Sequence, residues 1–263
     1  MALLIGARLG QHALSTSAAS PDALLPALFG RIPGIERLNR TAGDAAMLLA
    51  RAETHLAYMA IPYALSVHAS FVVAAAEMVR DAGFDAVDSE NRISRQQDLR
   101  KLSLDIAHEY IAERCGHALD GTLLELFHLA RRIRNRIVHF GGVAGSRLPT
   151  EYRGLSPGAR ASWEELARRS LPAALVNGKL ELQEGEIVAV LAISRYLAQG
   201  VNDLLARTLS REYWAAVAVA DYREMHPQRF GERTRRLRRV QGHVERLYGP
   251  LRLTEAELRT AGT

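Results

Sequence analysis

Residues 120–142 read DGTLLELFHLARRIRNRIVHFGG. Within this stretch Leu126, Ala130, Ile133, Ile137 and Phe140 step by four, three, four and three, the spacing of a helix lying against a core. Asp120 is placed to cap its start, and Gly141 with Gly142 supplies the left-handed backbone on which helices commonly end. Solvated Glu and Lys would ordinarily fill the flanks of such a stripe. Here the flanks hold Arg131, Arg132, Arg134 and Arg136 with Asn135, and His139 occupies the last turn. The sequence therefore predicts a core-packed helix whose open side binds anions and carries one group that titrates near neutrality.

The segments on either side are helical too. Thr41 and Asp44 mark a helix start, and Ala45, Leu48, Ala52, Leu56 and Met59 keep helical spacing until Pro62, which is expected to end or kink the helix. Residues 63–82 are apolar nearly all round, as befits a helix in the middle of a bundle, and Gly83 stops them. A polar loop through Arg92 leads to a capping box at Ser94 and Gln97 and a helix marked by Leu99, Leu102, Ile106 and Tyr110, ending at Gly116.

After Gly142 a Gly-, Ser- and Pro-rich run to about Ala161 is expected to form a mobile insertion, followed by a short helix capped by Ser162 and Glu165. In AALVNGKLELQ, residues 173–183, Asn177-Gly178 between short apolar runs calls for a hairpin. A long helix then carries Ile187, Leu191, Ser194, Ala198, Val201 and Leu205 in one stripe. The expected class is all-α, an up-and-down bundle of four to five core helices over residues 41–209 with a small hairpin insertion. Residues 1–40 form an N-terminal extension, in which Ser20 and Pro21 start a short helix, and residues 210–263 form a C-terminal basic helical extension.

Composition narrows the classes. A chain of 263 residues with 48% hydrophobic residues is ample for a core and is neither fibrous nor disordered. The single Cys115 excludes an intramolecular disulfide and fits a reducing compartment, and Cys115-x-His117 lacks the paired spacing of a zinc site, so neither a metal nor a cofactor is expected. Walker, dinucleotide-glycine and nucleophile-elbow patterns are absent from the sequence, as are repeats of 20–50 residues. The N-terminal MALLIGARLGQHALSTSAAS has an apolar run too short for a secretory signal; it is taken as a loosely ordered start, with a transit peptide as the alternative. No run approaches the roughly 18 apolar residues of a membrane span, so a cytoplasmic protein without a membrane partner is expected.

The net charge of +5 and a pI near 9.6 suit an acidic polymer as partner. Because 32 of the 34 basic residues are Arg, all but Lys101 and Lys179, their placement says more than their number. One cluster is the helix of residues 120–142. The other is residues 232–248, where Leu237, Val240, Val244 and Leu247 line one side and Arg233, Arg235, Arg236, Arg239 and Arg246 the rest. Three roles fit such a helix: docking with a solvated back, contact with RNA, or lying on an anionic membrane.

Arg134-Asn135-x-x-x-His139 resembles the Arg-x4-His motif of the HEPN superfamily, the higher eukaryotes and prokaryotes nucleotide-binding domain, over roughly residues 41–209. Its catalytic members look like metal-independent ribonucleases of toxin and phage-defence systems. The resemblance implies Arg134, Asn135 and His139 as catalytic residues, RNA as substrate and a homodimer whose facing motifs share one cleft; by their charge and placement Arg131 and Arg136 beside the motif, and Arg233, Arg235, Arg236 and Arg239 on the basic helix beyond the resemblance, are the candidate RNA contacts. It also implies an antitoxin or defence-system partner. In toxins of this kind paired with a nucleotidyltransferase antitoxin, a modified Tyr follows two after the motif His; here that position is Gly141, which puts neutralisation by that route in doubt.

The chemistry is coherent with those residue types. RNA brings its own nucleophile, the 2′-hydroxyl, so cleavage needs a proton donor or acceptor and a cation on the phosphoryl oxygens. A His at a helix C-terminus and an Arg fork supply both. On a regular helix positions 134 and 139 diverge by about 140° and about 7.5 Å, so they are expected to converge only if the helix end unwinds or a second copy faces the first. Without the resemblance the same residues make a solvated flank pairing with Glu125 or Glu113 and an ordinary C-cap. His108, His117 and His128 lie in or beside core helices, His12, His55, His68, His226 and His243 are isolated, and none is assigned a role.

Overall fold

The computed structural model describes residues 2–17, 20–83, 104–227 and 233–262. The fold is all-α: among the described residues there are twelve α-helices and one two-stranded sheet. In chain order the helices are α1 (Ala2–Thr16), α2 (Leu25–Phe29), α3 (Ala42–Ala50), α4 (Ala52–Asp81), α5 (Leu104–Cys115), α6 (Gly121–Phe140), α7 (Arg147–Gly154), α8 (Pro157–Ala167), α9 (Glu184–Thr208), α10 (Arg211–Met225), α11 (Arg233–Leu247) and α12 (Glu255–Ala261). Strands β1 (Leu175–Val176) and β2 (Lys179–Leu180) lie between α8 and α9. Two compact units result, Met1–His68 with Gly121–Tyr196 and Ala69–Asp120 with Leu197–Thr263, and the boundary falls inside α4 and α9.

In the first unit, Ala57, Ile61 and Leu65 of α4, spaced four apart, are buried, as are Leu126, Ala130, Ile133 and Ile137 of α6. Two expectations are corrected here. The helix break falls at Arg51, and α4 continues through Pro62 without ending there. A proline interrupts one backbone bond, but the buried stripe passes through it unbroken, and tertiary packing outweighs the local propensity. Nor is the stretch from residue 63 buried all round, since Tyr63 and Val67 are exposed; of the stripe before it, Met59 of α4 and Leu48 of α3 are exposed too.

Further corrections concern α9 and the N-terminus. The buried line of α9 in this unit is Glu186, Ala189, Val190, Ile193, with Leu191 exposed. It includes Glu186, whose carboxylate accepts from Arg169 at 2.5 and 3.0 Å and from the Gln183 amide. Residues 2–16 form a regular helix on α3, tied by Arg8 to Glu53 and Glu184. The next helix starts at Leu25 with Pro26 in its first turn, not at Ser20.

The Gly-, Ser- and Pro-rich run after α6 is ordered, again against expectation. It forms α7 and the start of α8, with Leu148, Tyr152 and Ala159 buried. Ser156 caps α8 by accepting from the Ala159 amide, and Pro157 takes the first helical position, so the start lies six residues before Ser162. Glu125 of α6 accepts from the Ser156 amide at 2.8 Å, fixing α8 to the motif helix.

In the second unit Val72, Ala75, Ala76 and Val79 pack with Ala107, Tyr110, Ile111 and Cys115 of α5 and Val201, Leu204 and Leu205 of α9. The capping box at Ser94 and Gln97, Leu99 and Leu102 lie outside the described residues. Another core joins Ala215, Ala218, Val219 and Tyr222 of α10 to Val240 and Val244 of α11 and Leu258 of α12. Helix α12 closes this core with a full capping box, Thr254 with Glu257, and Arg211 binds the Glu257 carboxylate.

By length and composition α4 is apolar enough to cross a membrane, with mean hydropathy 1.6 over its most apolar window. That departs from the expectation that no run approaches a span.

Candidate functional site at the end of helix α6

Helix α6 ends where its sequence says it should, and the ending is over-determined. Gly141 and Gly142 have φ of +56° and +85°, and the Gly142 amide reaches back to the Arg136 carbonyl at 2.9 Å. A Cβ on Gly142 would stand 1.6 Å from the Tyr58 hydroxyl oxygen. That hydroxyl donates to the Leu180 carbonyl at 2.9 Å, and the Leu180 amide donates to the Gly142 carbonyl, so the hairpin grips the helix end from outside. Asn177 and Gly178, both at positive φ, make the tight turn that presents β2 there.

On this anchored end the motif residues meet within one chain. Arg134 Nη1 donates to Asn135 Oδ1 at 3.0 Å and lies 3.5 Å from His139 Nε2. The expectation that 134 and 139 converge only through unwinding or a second copy is corrected: α6 is regular through Phe140, and the length of the Arg side chain spans the divergence. Asn135 and His139 are exposed and Arg134 is half-buried, so the cluster opens to solvent.

The other arginines divide. Arg131 is half-buried, and burial, then the like charges of Arg132 and Arg134, pull its guanidinium below the ordinary value. An anion placed among them would relieve that repulsion. Arg132 pairs with Glu151 of α7, which also receives Arg147, so it serves the ion pair that holds α7. Arg136 lies over the Phe140 ring at 4.6 Å. Phe140 itself is 55% exposed and leaves the buried stripe. Beyond Ile137 the α6 stripe is no longer buried, and Val138, Phe140 and Val143, close to His139 in sequence, are exposed apolar residues.

Among the arginines expected to touch RNA in the other cluster, Arg239 is exposed on α11, while the side chains of Arg233, Arg235 and Arg236 lie outside the described residues. Tyr58 was not predicted from sequence, because its partners at 142 and 180 are far along the chain and no local pattern marks it. Burial, then Glu181, raises its hydroxyl above the ordinary value. His226 and His243 are not isolated: their rings are 6.3 Å apart, with Tyr222 beside both, and His243 and Tyr248 share the Asp221 carboxylate at 2.8 and 3.1 Å. Among the described residues no three His, Cys, Asp or Glu gather as a metal site.

The chain matches no family model, no curated protein and no solved structure.

Proposed function

We propose that the chain is an endoribonuclease of the HEPN type, acting in a toxin or phage-defence system in the cytoplasm. The observation that carries this reading is the convergence of Arg134, Asn135 and His139 on one anchored, solvent-open helix end. In the reaction the 2′-oxygen of the ribose attacks the adjacent phosphorus, the bond to the 5′-oxygen breaks, and the products are a 2′,3′-cyclic phosphate and a 5′-hydroxyl. The 2′-hydroxyl gives up a proton and the leaving 5′-oxygen takes one. His139, through Nε2, transfers one of these protons. Arg134 turns its fork from His139 to the phosphoryl oxygens, and Asn135 holds the fork in place. Arg131 and Arg136 carry the neighbouring phosphates.

The exposed apolar residues Val138, Phe140 and Val143 at the end of α6 support a homodimer, since a second copy covering them would leave the motif charges in a groove. An antitoxin or defence-system protein is the further partner of this reading.

A second reading rests on the contact between Arg134 and His139 itself. If the pair is held for structure alone, the same end of α6 is a non-catalytic module that binds nucleotide, RNA or a partner protein. Expression in cells separates the two: the intact chain is toxic and His139→Ala is not. Equal toxicity of both favours the module.

A further inference from the structure

Helix α11 buries the centre of its apolar side, while Leu247 at its end is exposed. Val240 and Val244 are buried against Ala215, Ala218, Val219 and Tyr222 of α10, and His243 is buried beside them on the Asp221 carboxylate. The remaining face carries charge. Arg238, Arg239 and Arg246 are exposed, and among the described residues none of the three has a carboxylate partner. At about 100° per residue, positions 238, 242, 246 and 239 fall within one arc of roughly 100°, with 242 between 238 and the other two, and the exposed Glu245 borders the arc beside 238.

Position 242 is glycine. It sits in the middle of α11, is exposed, and an added Cβ there would meet nothing within 4 Å. No positive φ and no close neighbour requires a glycine, and glycine is among the poorest helix formers. What the missing side chain leaves is bare helix backbone between arginines, where a ligand can come closer than any other residue would allow.

We propose that this face of α11 is a docking surface for the phosphodiester backbone of a nucleic-acid strand, with Gly242 as the point of closest approach. The arginines hold phosphates by charge and fork geometry, and the glycine lets the sugar-phosphate chain lie on the helix. A lipid surface fits less well, because an interfacial helix inserts an apolar face, and Val240 and Val244 at the centre of that face of α11 are already buried on α10, leaving only Leu247 of it exposed. The surface stands apart from the cleavage proposed for α6, and binding alone reads it out.

The test uses the full chain with His139→Ala in every sample, so that substrate stays intact, and a fluorescent 20-nucleotide single strand, as RNA and as DNA. Replacing Arg238, Arg239 and Arg246 together with Gln is expected to weaken binding about tenfold at physiological salt and to flatten the slope of log affinity against log salt by about 2. Gly242→Gln is expected to raise Tm by about 2 °C through helix propensity while weakening binding at least threefold.

Those opposite signs separate a binding role from a structural one. Gly242→Gln that raises Tm and leaves affinity unchanged overturns the close approach. An unchanged salt slope in the triple variant overturns the surface. Equal loss for RNA and DNA is the expected backbone reading. Competition by poly-glutamate as strong as that by unlabelled RNA, or binding to phosphatidylserine vesicles without binding to either nucleic acid, also overturns it.

Discussion

Arg134 Nη1 and His139 Nε2 stand 3.5 Å apart in a single chain, although their positions on α6 diverge by about 140° of helical turn. The cluster is therefore assembled without a second copy. Mixing Arg134→Ala chains with His139→Ala chains is expected to leave activity lost, because every chain in the mixture lacks one half of its own pair. Recovery of activity on mixing would place the working pair across two copies.

Gly142 is where the helix end is most tightly specified. Its φ of +85° disfavours any other residue, and a Cβ would collide with the Tyr58 hydroxyl, which is itself held on Leu180. Gly142→Ala is expected to destabilise the chain by about 2 kcal/mol or more and to lower Tm by about 4–8 °C. Tyr58→Phe, which loses only the hydrogen bond to Leu180, is expected to lose about 1 kcal/mol. A Tm for Gly142→Ala equal to that of the parent chain would mean that the hairpin does not hold the helix end as described.

The sequence carried the parts of this end that are local. The apolar spacing from Leu126 to Ile137, the Gly141-Gly142 stop and the Asn177-Gly178 turn each depend on neighbours within one or two turns, and each is where the periodicity places it. What depends on distant partners was not legible. The order of α7 and α8 comes from buried Leu148, Tyr152 and Trp163 and from Glu125 reaching the Ser156 amide, so a composition typical of a loop folds as helix. Pro62 is tolerated because Ala57, Ile61 and Leu65 are buried on both sides of it. The meeting of Arg134 with His139 depends on side-chain length, which backbone angles alone do not show.

Two tyrosines, Tyr152 buried and Tyr248 half-buried, set an alkaline limit. Burial, then hydrogen bonds to Glu164 and Asp221 respectively, pushes Tyr152 and Tyr248 up to about 12. Both lie above the unfolded value of about 10, so the stabilisation is complete below pH 10 and is lost as pH rises through 12. Tm is expected to fall over that window, and less steeply in Tyr152→Phe, which has no phenol to ionise there. An identical fall in both proteins would show that Tyr152 does not contribute.

Cleavage by the α6 cluster draws on an imidazole, a guanidinium and the 2′-hydroxyl of the substrate. Activity is therefore expected to persist in excess EDTA. Complete loss in EDTA with recovery on adding Mg2+ would contradict the proposed chemistry.

The most direct measurement is the chemistry of the RNA ends made by the purified chain, beside the His139→Ala variant. His139 is exposed, and its replacement is expected to change stability by no more than about 0.5 kcal/mol, so a folded control is in hand. The account predicts 2′,3′-cyclic phosphate and 5′-hydroxyl ends from the intact chain and none above background from His139→Ala. Fragments ending in a 3′-hydroxyl and a 5′-phosphate, or equal cleavage by the two proteins, would contradict it.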